Sequence, residues 1–300
     1  MQKKQLQVIG YASCYGAKDQ RCDTGPTTLN SLQLSTRLAD AGFDVSWSNN
    51  VTPTHVPDSN AETLSLIINN CKELARQTHK AVAANKQIVV IGGDHSGAIG
   101  TWSGVHSALQ HSSPLGLIWI DAHMDSHTPD SSISDAIHGM PVATLLGYGA
   151  AGLCHIESET NKIQPQNLCL VGVRSFEAAE AQLLNELGVK IFYMHEIQKL
   201  GLNKVLALAK AHVSRQGNKY GLSMDLDAID PADAPGVGSP ENHGISGKNL
   251  ISALKSLNFG ENFIGIEISE LNSERDDVDK TARLAIEAIL ACLSDPQPRN

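Results

Sequence analysis

The sequence predicts an α/β fold: a single open, mostly parallel sheet of eight strands with helices on both faces. Three observations lead to it. With 300 residues, 41% of them hydrophobic, the chain can bury a large core, and α/β units often reach this length undivided, so residues 1–300 are expected to form one domain. Apolar, β-branched runs recur near residues 5–12, 44–49, 86–93, 115–123, 166–174, 189–197, 219–227 and 262–271, as buried strands do. Between them apolar residues fall three and four apart, as from Thr28 to Ala41, Glu62 to Ala84, Glu177 to Leu187 and Leu202 to Val213, which is the helical period. Strand alternating with helix implies a parallel sheet covered on both sides. Such sheets bind their ligands beyond the carboxyl ends of the strands.

The first run follows Lys3 and Lys4 and ends near Cys14. It superficially suggests an export segment with a lipid-acceptor cysteine, but the apolar stretch is too short and is broken by Gln7 and Gly10. It is read as a buried strand. No apolar run reaches the roughly 18 to 20 residues that cross a bilayer. Six cysteines (Cys14, Cys22, Cys71, Cys154, Cys169 and Cys292) show no C-x-x-C pair, so they are expected to be reduced packing thiols of a cytoplasmic protein. A formal charge of -9 argues against a nucleic-acid or membrane-surface partner and is compatible with a small cationic substrate.

The third run ends in Ile91-Gly92-Gly93-Asp94-His95-Ser96, and the fourth in Ile120-Asp121-Ala122-His123-Met124-Asp125. If the latter is strand throughout, alternation sends Asp121, His123 and Asp125 to one face. The seventh run ends in Ser223-Met224-Asp225-Leu226-Asp227. If these ends meet at one sheet edge, four aspartates and two histidines converge, an arrangement tolerable only with cations inside it. Two divalent ions balance the four carboxylates. Carboxylate-rich sites with one imidazole per ion and no thiolate suit Mn²⁺ better than structural zinc. Two such ions about 3.5 to 4 Å apart can hold a shared water and lower its pKa, which points to hydrolysis. Singly, an Asp-x-His at a strand end is often an ordinary hydrogen-bonded pair; three such ends together are far more specific. The polar segments Ser126 to Ile137 and Asp230 to Gly244 follow these ends and read as site loops. The tail 295–300, Asp-Pro-Gln-Pro-Arg-Asn, is expected to fray.

These motifs, together with Ile137-His138-Gly139-Met140-Pro141, closely resemble the signatures of the arginase or ureohydrolase family. The resemblance runs from Thr24-Gly25-Pro26 to Glu267-Ile268-Ser269-Glu270-Leu271-Asn272 and Asp279-Lys280-Thr281-Ala282. It implies two Mn²⁺ per subunit, one held by His95, Asp121, Asp125 and Asp225, the other by Asp121, His123, Asp225 and Asp227. It further implies that a hydroxide bridging the ions attacks a guanidinium carbon to give urea and an amine. Asp125 would orient that hydroxide and take its proton, His138 would shuttle protons, and Glu270 would pair with the guanidinium. The loop from Asp121 to His138 has the length found in arginases, which favours L-arginine, with L-ornithine and urea as products. At the amino-acid end of the substrate, Ser132 and Ser134 supply hydroxyls. There His127 stands at the family's asparagine position, Ala136 replaces a polar residue, Glu177 occupies an aspartate position, and Ser239 replaces a threonine. Family members assemble as trimers or hexamers.

Four other readings compete. Agmatinase, or a hydrolase of another guanidino or formimino compound (guanidinobutyrase, guanidinopropionase, formiminoglutamase), differs only in substrate. Zinc deacetylases share a related fold and an Asp-x-His, but need one metal and leave His95, Asp125 and Asp227 unexplained. A nucleotide-binding module lacks both G-x-G-x-x-G and G-x-x-x-x-G-K-[ST]. A non-catalytic protein with a vestigial site would not be expected to retain every ligand.

Overall fold

Val, Ile and Leu dominate the short runs that become strands, as expected of strands buried on both faces. The computed structural model describes residues 3–110 and 112–294; the tail expected to fray lies outside them. The strands are β1 (Lys4–Gly10), β2 (Phe43–Trp47), β3 (Gln87–Ile91), β4 (Leu115–Ile120), β5 (Leu168–Val173), β6 (Lys190–Tyr193), β7 (Lys219–Asp225) and β8 (Phe263–Ser269). They form one eight-stranded sheet in the order β2-β1-β3-β8-β7-β4-β5-β6. Every pairing is parallel, not merely most of them.

The helices are α1 (Gly25–Ser31), α2 (Leu34–Asp40), α3 (Asn60–Ala83), α4 (Gly97–Leu109), α5 (Pro141–Leu145), α6 (Ala151–Cys154), α7 (Ala178–Leu187), α8 (Met194–Leu200), α9 (Leu202–Val213), α10 (Gly247–Ser256) and α11 (Lys280–Leu293). Alternate strand residues serve opposite layers. Val89, Ile91, Ile118 and Ile120 pack with Leu29, Leu38, Val205, Leu250 and Ile289 of α1, α2, α9, α10 and α11. Ile88, Val90, Leu117 and Trp119 pack on the other side with Leu74, Trp102, Val105 and Leu184 of α3, α4 and α7. All six cysteines are free and buried, as the sequence suggested. Among the described residues no helix is long and apolar enough to cross a membrane.

Among the boundaries that depart from expectation, two do so for a clear local reason. The helix expected from Thr28 to Ala41 breaks at Gln33, whose φ of 66° is left-handed. In an unbroken helix Leu29 and Leu34, five residues apart, would face different ways, whereas the break lets both be fully buried. The run 189–197 is strand only to Tyr193, because Glu196 accepts from the Tyr193 N–H at 3.0 Å and caps a helix there.

The central strand order creates the crevice. After β3 the chain skips two places to β4 and later returns to fill the gap with β7 and β8. The ends of β3, β8, β7 and β4 are therefore neighbours although their residues lie far apart in sequence. That is a topological switch point.

Helices α3 and α4 approach so closely that side chains are excluded between them. A Cβ on Gly104 would lie 2.1 Å from the Ala75 carbonyl oxygen. Replacing a helical glycine by alanine ordinarily gains up to about 1 kcal/mol in propensity, but here the obstacle is backbone and cannot rotate away. Gly104→Ala should therefore lower unfolding free energy by about 1 to 3 kcal/mol, measured by urea denaturation; a stabilised variant would contradict the packing.

Candidate metal centre

Each strand end supplies its ligands through a tight local turn. β4 stops at Ile120, so the expectation that Asp121, His123 and Asp125 share a face by strand alternation is corrected: the motif lies in the loop beyond the strand. Asp121 Oδ1 accepts from the His123 N–H at 2.7 Å, an Asx turn of the kind aspartate makes with its own backbone. Its other oxygen accepts from Trp119 Nε1 at 2.9 Å. Asp225, the last residue of β7, repeats the device, its Oδ1 accepting from the Asp227 N–H at 2.8 Å. Asp125 has φ 49°, a left-handed conformation in which aspartate is among the better tolerated residues.

After β3, Gly93 passes so near Ser13 that a Cβ would sit 2.0 Å from its carbonyl oxygen. Asp94 anchors this turn by accepting from the N–H groups of Gly16 at 2.8 Å and Ser96 at 2.9 Å. His95 is thereby aimed at the aspartates. Its Nδ1 lies 3.3 Å from Asp121 Oδ2, 3.0 Å from Asp125 Oδ2 and 3.2 Å from Asp225 Oδ2. His123 Nδ1 lies 3.0 Å from Asp227 Oδ2 and 3.5 Å from Asp121 Oδ1. Two ligand groups result, His95-Asp121-Asp225 and Asp121-His123-Asp227, each with its ligand atoms within 4.8 Å of one another and both containing Asp121. All six residues named from the sequence are brought together.

The electrostatics of this nest call for positive charge. Carboxylates about 4 to 5 Å apart repel by about 3 kcal/mol or more per pair at an effective dielectric near 20. Burial and the charge of Asp121 push the Asp125 pKa up to about 7, and burial with Asp227 and Asp121 raises Asp225 well above its ordinary value. Burial also opposes ionisation of Asp121, but His123 and His95 hold its pKa below the usual carboxylate range. Burial disfavours the two imidazolium ions as well, yet the surrounding carboxylates override it and raise both histidines. Despite this crowding, His95 Nδ1 and Asp125 Oδ2 are buried without a hydrogen-bond partner. Unpartnered polar atoms converging among carboxylates fit a pair of divalent cations, and the donor set of carboxylates and imidazoles without thiolate suits them.

Glu270 and His138 stand beside the nest. Glu270 follows β8 with φ 65°, and its N–H donates to the Gly93 carbonyl at 2.8 Å. Its Oε1 accepts from the His95 N–H at 2.9 Å and lies 3.0 Å from His138 Nδ1. Cys22 Sγ donates to Oε2 at 3.4 Å. Burial alone would lower the His138 pKa, but Glu270 lifts it to about 9. Burial likewise works against ionised Glu270, and His138 more than offsets it.

The residues named for the far end of a substrate form a second group. His127 Nε2 lies 2.8 Å from Glu177 Oε2, and its Nδ1 lies 3.2 Å from Ser131 Oγ. Glu177 caps α7 in a reciprocal capping box with Glu180, and the buried Glu180 also accepts from the Ser126 N–H at 3.0 Å. Ser132 and Ser134 accept from the N–H groups of Asp135 and Ala136, while Ser239 is half-buried in the loop before α10. Sequence reasoning missed three neighbours. Glu180 was legible as a capping box, Glu-x-x-Glu before a helix. Arg174, which donates to the carbonyls of Asp227 at 2.7 Å and Glu241 at 2.8 Å, and Glu241, 3.8 Å from His123 Nε2, carried no signal, because their partners are distant in sequence.

Known proteins resemble this chain over nearly its whole length. The description "Arginase family" matches residues 4–294. An arginase of Brevibacillus brevis is 35% identical over 296 residues, covering 97% of this chain and 98% of that protein. The crystal structure of arginase from Bacillus subtilis superposes with a TM-score of 0.90 at 35% identity, covering 97% and 98%. That of Entamoeba histolytica arginase in complex with L-ornithine gives 0.89 at 28% identity, again covering 97% and 98%.

In the metal-free protein His138 should titrate near pH 9, and Glu270→Gln should return it toward its ordinary 6.5, as followed by imidazole NMR shifts. Since folding raises this pKa, the pair's contribution to stability is present below about pH 6.5 and fades as pH rises through about 9. A His138 titration untouched by the substitution rules the ion pair out.

Proposed function

The chain belongs to the arginase family, and from that premise we propose that it hydrolyses L-arginine to L-ornithine and urea with two Mn²⁺ per subunit. As a member it is a hydrolase of C–N bonds. The observation that carries the reading is the pair of ligand groups joined at Asp121. His95, Asp121, Asp125 and Asp225 would hold one cation, and Asp121, His123, Asp225 and Asp227 the other. When bound, such a pair supplies Lewis acidity and lowers the pKa of a water shared between its members.

The chain's own residues do the rest. Asp125, whose Oδ2 is buried without a hydrogen-bond partner and lies 3.0 Å from His95 Nδ1 in the nest, is placed to orient a water held there and accept its proton. Glu270 is held ionised by His138, so its carboxylate can orient a guanidinium through charge-assisted hydrogen bonds. His138 remains a cation up to about pH 9, which suits it to deliver a proton to the departing amine and relay others to solvent. The partner is thus a small guanidino cation. Six buried, unpaired thiols fit a reducing compartment, so we place the enzyme in the cytoplasm, as the trimer or hexamer that family resemblance implies.

One observation favours a second reading. Both nitrogens of His127 are already engaged, by Glu177 and Ser131, so a substrate carboxylate would have to compete for them. This suits agmatine or another guanidino compound without an α-amino acid end.

Urea release should be fastest from L-arginine among arginine, agmatine, 4-guanidinobutyrate and 3-guanidinopropionate, and should vanish when Mn²⁺ is stripped by chelator. Undiminished turnover after stripping rejects the metal reading, and preference for another substrate rejects arginine. Glu177→Ala should raise KM for the preferred substrate by roughly tenfold, the cost of a lost charged hydrogen bond; an unaltered KM removes Glu177 from substrate binding.

A further inference from the structure

Behind the candidate centre lies a carboxylate with no part in the proposed chemistry. Glu267 on β8 is fully buried, and the side chains donating to it are all neutral. Thr101 Oγ1 reaches its Oε1 at 2.8 Å, while Trp102 Nε1 at 2.9 Å and Ser223 Oγ at 2.8 Å reach its Oε2. An ion buried without an opposite charge is costly. The nearest source of compensation runs through Ser223, its register partner on β7, whose Oγ lies 3.0 Å from His95 Nε2.

Donor counting sets the direction of this relay. Burial raises the Glu267 pKa, while His95 and the hydrogen bonds from Thr101, Ser223 and Trp102 act the other way; because all three side chains donate to its oxygens, Ser223 spends its single proton on Glu267 and offers lone pairs to His95. The imidazole must then carry a hydrogen on Nε2. With one hydrogen in the ring, Nδ1 keeps its lone pair, and Nδ1 is the atom surrounded by Asp121, Asp125 and Asp225 at 3.0 to 3.3 Å. Trp119 stacks on the same ring with centroids 4.2 Å apart and limits its rotation.

We propose that Glu267 is a positioning residue for the metal centre, holding His95 through Ser223 in the form protonated at Nε2 and strengthening Nδ1 as a cation ligand. The proposal rests on the two-cation reading above. It extends that reading from the ligands to a charge two hydrogen bonds behind them, where a partner of the ligand tunes its basicity.

Glu267→Gln tests the charge with little change of shape, since an amide turned with its nitrogen toward Thr101 still accepts from Trp102 and Ser223. Full-length, Mn²⁺-loaded protein is titrated against a competing chelator, with bound Mn²⁺ counted by elemental analysis and the unfolding midpoint recorded alongside. Glu267→Gln and Ser223→Ala should each weaken Mn²⁺ retention by roughly 10 to 100-fold, and the double variant should be little worse than either. That non-additivity is a signature that separate structural damage would not produce. If Glu267→Gln does not fold, Ser223→Ala alone must still show the loss. Wild-type affinity in either variant, or fully additive losses in the double, overturns the proposal alone. A wild-type protein that retains no Mn²⁺ overturns the two-cation reading as well.

Discussion

Four aspartates crowded into one water-poor nest impose the constraint on which the rest of this structure depends. Asp121 belongs to both ligand groups, so like charges meet within 4.8 Å, where each pair costs about 3 kcal/mol or more at a dielectric near 20. Metal-free, the cluster answers by drawing in protons: Asp125, Asp225 and both histidines shift upward. Cation binding to such a site must displace protons. The proposed metals therefore settle a conflict the fold creates by bringing these carboxylates together.

The fold can hold the conflict because its parts are rigid. Placing β7 and β8 between β3 and β4 gathers ligands onto the ends of adjacent, doubly buried strands. Short Asx turns at Asp121 and Asp225 aim the side chains without a long loop. The left-handed backbone at Asp125 and Glu270 is a modest local cost at positions where the chain must turn a carboxylate inward. Glu270 joins both regions, with its N–H on Gly93 and its carboxylate between His95 and His138.

Much of the fold and the ligand set was legible in the chain itself. Six of the eight strands fall inside the apolar runs and the other two, β1 and β2, begin one residue before theirs, because strands buried on both faces leave unbroken stretches of Val, Ile and Leu. The six candidate ligands could be named because each group sits within a few residues of a strand end. Boundaries were less legible. Strand periodicity was extended past Ile120 into a loop, and the break at Gln33 was invisible because helical period persists on both sides of it. The contacts of His127 could not be read either: its partner Glu177 lies 50 residues away, and only folding shows that the two side chains engage each other.

The sequence by itself determined the alternation of strands and helices and which aspartates and histidines stand at the strand ends as candidate ligands, since these follow from residue type and short-range spacing. Tertiary structure decided which strand ends are neighbours, how each carboxylate is oriented, and that Glu267 and Ser223 stand behind His95. Those depend on strand order and on hydrogen bonds spanning as many as 248 residues, from Cys22 Sγ to Glu270. Local pattern carries no record of such distances, because a side chain's partner is set by where the whole chain returns.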